Sequence, residues 1–203
     1  MTPLPRAQLL AYGGLGLPLA FAALPLYVHL APFYSAYLSL TLIGLLLLGL
    51  RFFDAVIDPL LGALFDRFPH PRRLILAALP LLGLGWVGLF NPPDEGVLPW
   101  LIVTLTLTTV GYSLASVVHN TWGARIHPAP HERTRLFAAR EGFGLVGVVL
   151  AATLPLLLSD DLESGLRAVG WIFLALLVVF AAWTLLSAPA MRGSGHSVPL
   201  RRF

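Results

Sequence analysis

The chain contains no cysteine and no lysine; all thirteen of its basic residues are arginine. Without cysteine, disulfides and thiolate chemistry are excluded. Charge of either sign is scarce, at 11% of 203 residues, against roughly 25% in an ordinary soluble domain. No acid precedes Asp54, and none lies between Val97 and His119. Nucleophile-elbow and phosphate-loop patterns are missing, so no nucleophile–base constellation points to an enzyme. His127 and His131 stand four apart beside Glu132, but Pro128 and Pro130 between them oppose a regular helix offering both imidazoles to one metal. No metal site and no cofactor is expected.

What the chain does have is apolar surface, 57% of its residues. Six segments approach the roughly 20 residues needed to cross a bilayer. They read as helices at 9–30, 38–65, 74–90, 97–119, 142–158 and 168–188. Asn91-Pro92-Pro93-Asp94 and Ser159-Asp160-Asp161 mark turns. Residues 121–140 read as a polar connecting segment, and 189–203 as a disordered polar tail.

Eleven of the thirteen arginines fall on one side of these spans: Arg6, Arg67, Arg72, Arg73, Arg125, Arg133, Arg135, Arg140, Arg192, Arg201 and Arg202. By the positive-inside rule that side is cytoplasmic, with both termini inside the plasma membrane. The net charge of +3 is then a topology signal in lipid, and no nucleic-acid partner is expected.

The second apolar run is interrupted by Arg51, Asp54 and Asp58, which steps of three and four residues place on one helical face. Ionisable groups at membrane depth cost roughly 2.5–3.5 kcal/mol each and usually mark an ion or substrate path. With both acids ionised the trio carries a net single negative charge, which one proton or sodium ion neutralises. Pro59 also removes a backbone donor and frees the carbonyl of Ala55. The bland reading is a structural Arg–Asp network, but buried ion pairs are poor stabilisers beside packed apolar groups.

Arg51-x-x-Asp54-x-x-x-Asp58-Pro59 resembles the second-helix signature of the glycoside–pentoside–hexuronide:cation symporters, a family of the major facilitator superfamily. Gly62-x-x-x-Asp66-Arg67 with Arg72-Arg73 is similar to the superfamily's loop signature after helix two, one residue longer and without its internal glycine. His119-Asn120-Thr121-Trp122-Gly123-Ala124, Glu132-Arg133-Thr134-Arg135 and Arg140-Glu141-Gly142-Phe143-Gly144 complete the match in the family's order.

The resemblance implies an all-α membrane fold: six transmembrane helices forming one half of a major facilitator fold, a 3+3 inverted repeat. It implies that Asp54 and Asp58 bind the coupling cation, Na⁺ or H⁺, with Arg51 as charge partner. His119, Asn120, Trp122 and Arg140 are expected along the path of a small polar solute such as a sugar or glycoside. Asp66, Arg67, Arg72 and Arg73 are expected to form a conformational loop, in which Asp66 also links neighbouring helix ends. Interfacial or snorkelling roles are the plainer readings of Trp122 and Arg140.

The sequence departs from its sugar-transporting relatives by lacking their acids in helices one and four. Half a transporter further implies a second six-helix half or a homodimer. The alternative is a non-transporting subunit or a truncated remnant.

Overall fold

The computed structural model describes residues 3–191, and among them every regular element is an α-helix. Helices α1 (Arg6–Gly14) and α2 (Gly16–Val28) come first, and the short α3 (Leu30–Tyr34) turns the chain. They are followed by α4 (Leu40–Arg67), α5 (Pro71–Leu89), α6 (Val97–Ile126), α7 (Pro130–Leu158) and α8 (Leu162–Ser187). Six stretches, counting α1–α2 as one, are long and apolar enough to cross a membrane. This is the expected all-α, six-span architecture, consistent with one half of a major facilitator fold. The tail expected at 189–203 lies, from residue 192 onward, outside the described residues.

Residues 121–140 differ from the expected polar connection. Helix α6 runs on to Ile126, and α7 already starts at Pro130, leaving three residues between them. The reason is amphipathicity: Trp122, Ile126, Glu132 and Leu136 are buried while Arg125 and His131 face out, so both helices continue past the apolar stretch. Pro130 occupies the first helical turn, where its missing N–H is no loss. Helix α8 likewise begins six residues before the expected 168, because the Asp161 carboxylate caps it, accepting from the Ser164 N–H at 2.9 Å.

The first span breaks at Leu15 for a local reason. The Thr184 hydroxyl of α8 inserts into the helical ladder, accepting from the Leu15 N–H at 3.1 Å and donating to the Ala11 carbonyl at 2.7 Å. A side chain inserted this way is a recognised cause of kinks.

Helices α5 and α6 pack backbone to backbone through small residues. A Cβ on Gly111 would collide with the Leu82 backbone, and one on Gly147 of α7 would collide with the Leu17 carbonyl of α2. Trp86 and Phe173 fill the centre with ring centroids 4.6 Å apart, and the Trp86 indole N–H donates to the Ala22 carbonyl at 3.2 Å. Helix α4 stands apart from this core: only 6% of its most apolar window is buried, against 78% for α1–α2. Helix α7 is also sparsely covered.

Contacts sort the loops by end. At one end Asp66 meets Arg125, Arg72 meets the Ala188 carbonyl, and Leu4 meets Glu132. At the other, Tyr37 donates to Glu163 at 2.8 Å and Tyr34 to the Leu89 carbonyl at 2.7 Å. The loop arginines 67, 72, 73, 125 and 133 therefore share one end.

Candidate functional site

Asp54 and Asp58 line one cavity of about 420 Å³ between α2, α4 and α6. Its other polar walls are Tyr27, Arg51, Thr109, Tyr112 and Ser113. One helical turn, about 6 Å of rise, separates the two acids along α4. Asp54 is half-buried, and its Oδ1 has no hydrogen-bond partner; Asp58 is exposed. The cavity thus holds two carboxylates whose hard oxygens suit a sodium ion or a proton.

Arg51 shares this cavity with both acids without a direct contact to either. Among the described residues no ion pair within 4.0 Å joins it to either acid. Its Nη1 instead donates to the Tyr27 hydroxyl at 3.3 Å, and the guanidinium carbon lies 4.4 Å from that ring's centre. The long side chain has an aromatic face within reach on α2, and an arginine over a ring gains cation–π attraction without losing its access to water.

A second cavity of about 350 Å³ adjoins the first, sharing Tyr27 and Tyr112 as walls. It is lined by Arg140 and Glu141 of α7 opposite Gly16 and Ala20 of α2. Arg140 pairs with Glu141 at 2.9 Å while its Nε remains buried and unpartnered. The two cavities together are walled by α2, α4, α6 and α7.

The four residues expected along the solute path separate. Arg140 lines the second cavity. His119 is fully buried and ties α6 to α1: its Nε2 bonds the Tyr12 carbonyl at 2.9 Å, and the Tyr12 hydroxyl donates to the His119 carbonyl at 2.9 Å. Trp122 is buried as well, its indole N–H donating to the Pro189 carbonyl at 3.1 Å. Asn120 is half-buried and lines neither cavity. A polar helix end does not reveal which neighbour it faces, and here His119 faces inward onto α1 while Trp122 meets the segment after α8.

Asp66 does link helix ends, pairing with Arg125 of α6 at 2.6 Å. Arg72 reaches the end of α8, and Arg67 lies over the Phe68 ring at 5.8 Å. Glu132 was overlooked as an anchor: buried, it accepts from the Leu4 N–H at 3.2 Å and from Arg135 at 2.7 Å, pinning the N-terminal segment to α7. Thr109, Tyr112 and Ser113 were also missed, although steps of three and four already trace them as a polar stripe in an apolar helix.

A bundle of six apolar helices with a charged, cavity-lined face defines a multi-pass membrane protein of the transport class. A family model described as MFS/sugar transport protein matches residues 9–195, and the chain belongs to that family, within the major facilitator superfamily. The family is one of transporters, not of enzymes. No curated protein matches the sequence significantly.

Proposed function

We propose that the chain forms the cation-binding part of a secondary symporter of the glycoside–pentoside–hexuronide type. It couples uptake of a small polar solute, a sugar or glycoside, to Na⁺ or H⁺. The observation that carries this reading is the shared cavity of Asp54 and Asp58, with neither acid ion-paired among the described residues. Two free carboxylates at membrane depth are costly until a cation enters, so binding lowers the barrier to moving this face through an apolar constriction. Tyr27, Tyr112 and Arg140, set around the adjoining cavity, supply hydroxyl and guanidinium contacts for a polar solute.

Both termini lie in the cytoplasm in this reading, with the arginine-rich end of the bundle at the inner face of the plasma membrane. A second six-helix half or a second copy closes the cleft, because little of the apolar surface of α4 is covered by the rest of the chain. Asp66, Arg67, Arg72 and Arg73 form the conformational loop.

The test is sodium-22 binding and proton uptake by the purified chain in nanodiscs, alongside gradient-driven uptake of a glycoside panel in proteoliposomes. Asp54→Asn and Asp58→Asn should each abolish cation binding while leaving expression and the melting temperature near wild type. Undiminished binding and uptake in both variants would refute the assignment.

A further inference from the structure

The arginine-bearing end of the bundle holds a third and larger cavity, of about 980 Å³, to which the transport reading assigns no ligand although Arg72 and Arg73 of the conformational loop line it. It lies between the α4–α5 loop, the α6–α7 loop and the segment after α8. Four guanidinium groups line it, those of Arg72, Arg73, Arg125 and Arg133, and no carboxylate does among the described residues. Arg125 is neutralised by Asp66 at 2.6 Å, and Arg72 is held by the Ala188 carbonyl at 3.0 Å. Arg73 and Arg133 have no ion pair or side-chain hydrogen bond among the described residues.

Two further observations point to an absent acceptor. His127 lines the cavity and is 4% exposed; its Nδ1 accepts from the Ala129 N–H at 3.1 Å. That bond leaves the ring proton on Nε2, which is buried and has no acceptor. Helix α5 also begins here without a side-chain cap, with Arg72 and Arg73 and no acid in its first turn; α7 likewise lacks a side-chain cap, but Glu132 in its first turn is already engaged by Leu4 and Arg135. A cation at a helix N-terminus opposes the helix dipole, so the arrangement is unfavourable until an anion joins it.

We propose that this cavity binds a phosphate-bearing anion. Arg73 and Arg133 clamp the phosphate oxygens, His127 Nε2 donates to the group, and Trp122 and Met191 form an apolar wall for its organic part. Sited where the helices end, it is open to a lipid headgroup phosphate as well as to a free phosphate.

The experiment has two arms on the purified full chain. Native mass spectrometry in detergent titrates dioleoylphosphatidic acid, dioleoylphosphatidylglycerol and dioleoylphosphatidylcholine. Isothermal titration calorimetry adds sodium phosphate against sodium chloride at matched ionic strength. Wild type should prefer phosphatidic acid or inorganic phosphate over the matched control by about tenfold or more. Heat with phosphate identifies a free-phosphate site, and lipid preference without that heat identifies a headgroup site.

Arg73→Gln/Arg133→Gln and, separately, His127→Phe should erase the preference. Arg6→Gln/Arg167→Gln, which removes the same charge outside the cavity, should keep it. Melting temperatures without ligand establish that each variant is folded. Retention of the preference in either cavity variant, or its equal loss in the control, overturns the proposal.

Discussion

Arg51 lies over Tyr27, its guanidinium carbon 4.4 Å from the ring centre, rather than on the two acids of its own helix. The tyrosine of α2 thereby engages a cation that would otherwise be free to pair with Asp54 or Asp58. Tyr27→Phe retains the ring and should change sodium binding little. Tyr27→Ala removes both ring and hydroxyl, freeing Arg51 to swing toward the carboxylates, and sodium affinity should fall about fivefold or more, the equivalent of one cation–π contact. Adding Arg51→Gln should restore it. A double variant as weak as Tyr27→Ala would show that the ring acts in some other way.

Glycines on this scaffold are not equivalent. Gly111 meets the Leu82 backbone, whereas Gly62 on α4 has nothing within 4 Å of where a Cβ would stand. Gly111→Ala should destabilise the bundle by about 1–3 kcal/mol through overpacking. Gly62→Ala should be neutral or stabilising by about 0.5–1 kcal/mol, the helix-propensity gain alone. Unfolding in detergent followed by circular dichroism checks both. Equal effects would mean that the α5–α6 contact relaxes freely.

Different features were legible at different levels. The six spans follow from apolar length alone, and Asp54 and Asp58 stand out because charge inside such a run is expensive. The ends of α6 and α7 were hidden because Arg125, Glu132 and Arg133 make a continuing amphipathic helix look like a loop. The partners of His119 and Trp122 lie more than sixty residues away in sequence, at Tyr12 and Pro189, and no local pattern records such pairings. The Arg51–Tyr27 contact was hidden for the same reason: spacing shows which face Arg51 shares, but not that an aromatic ring on another helix waits opposite.

The α8 cap supplies a pH handle outside the membrane spans. Hydrogen bonds from the Ser164 N–H and then its hydroxyl hold the Asp161 carboxyl below the usual carboxylate range. A lowered folded-state pKa contributes stability above the unfolded value near 3.9, and that contribution disappears as pH falls through the folded value. Asp161→Asn keeps an N-cap acceptor but does not titrate. The melting temperature of wild type relative to Asp161→Asn should therefore be constant above about pH 5 and decline as pH falls from there to about pH 2. A constant difference across that window would remove Asp161 from the pH response.

The Asp66–Arg125 pair bears on motion more than on stability. At 2.6 Å its geometry is good, yet the two side chains are 65% and 42% exposed. Exposed ion pairs contribute about 0–1 kcal/mol, too little to hold the bundle together. Such a contact is, however, comparable with the small free-energy gaps between transport conformations, so breaking it can shift a two-state balance severalfold. Asp66→Asn and Arg125→Gln should each leave the melting temperature nearly unchanged while altering the rate of solute exchange in proteoliposomes. The charge-reversed pair Asp66→Arg/Arg125→Asp should return the rate toward wild type. A purely structural contact would give the opposite pattern, with melting temperature and exchange rate falling together and no recovery on reversal.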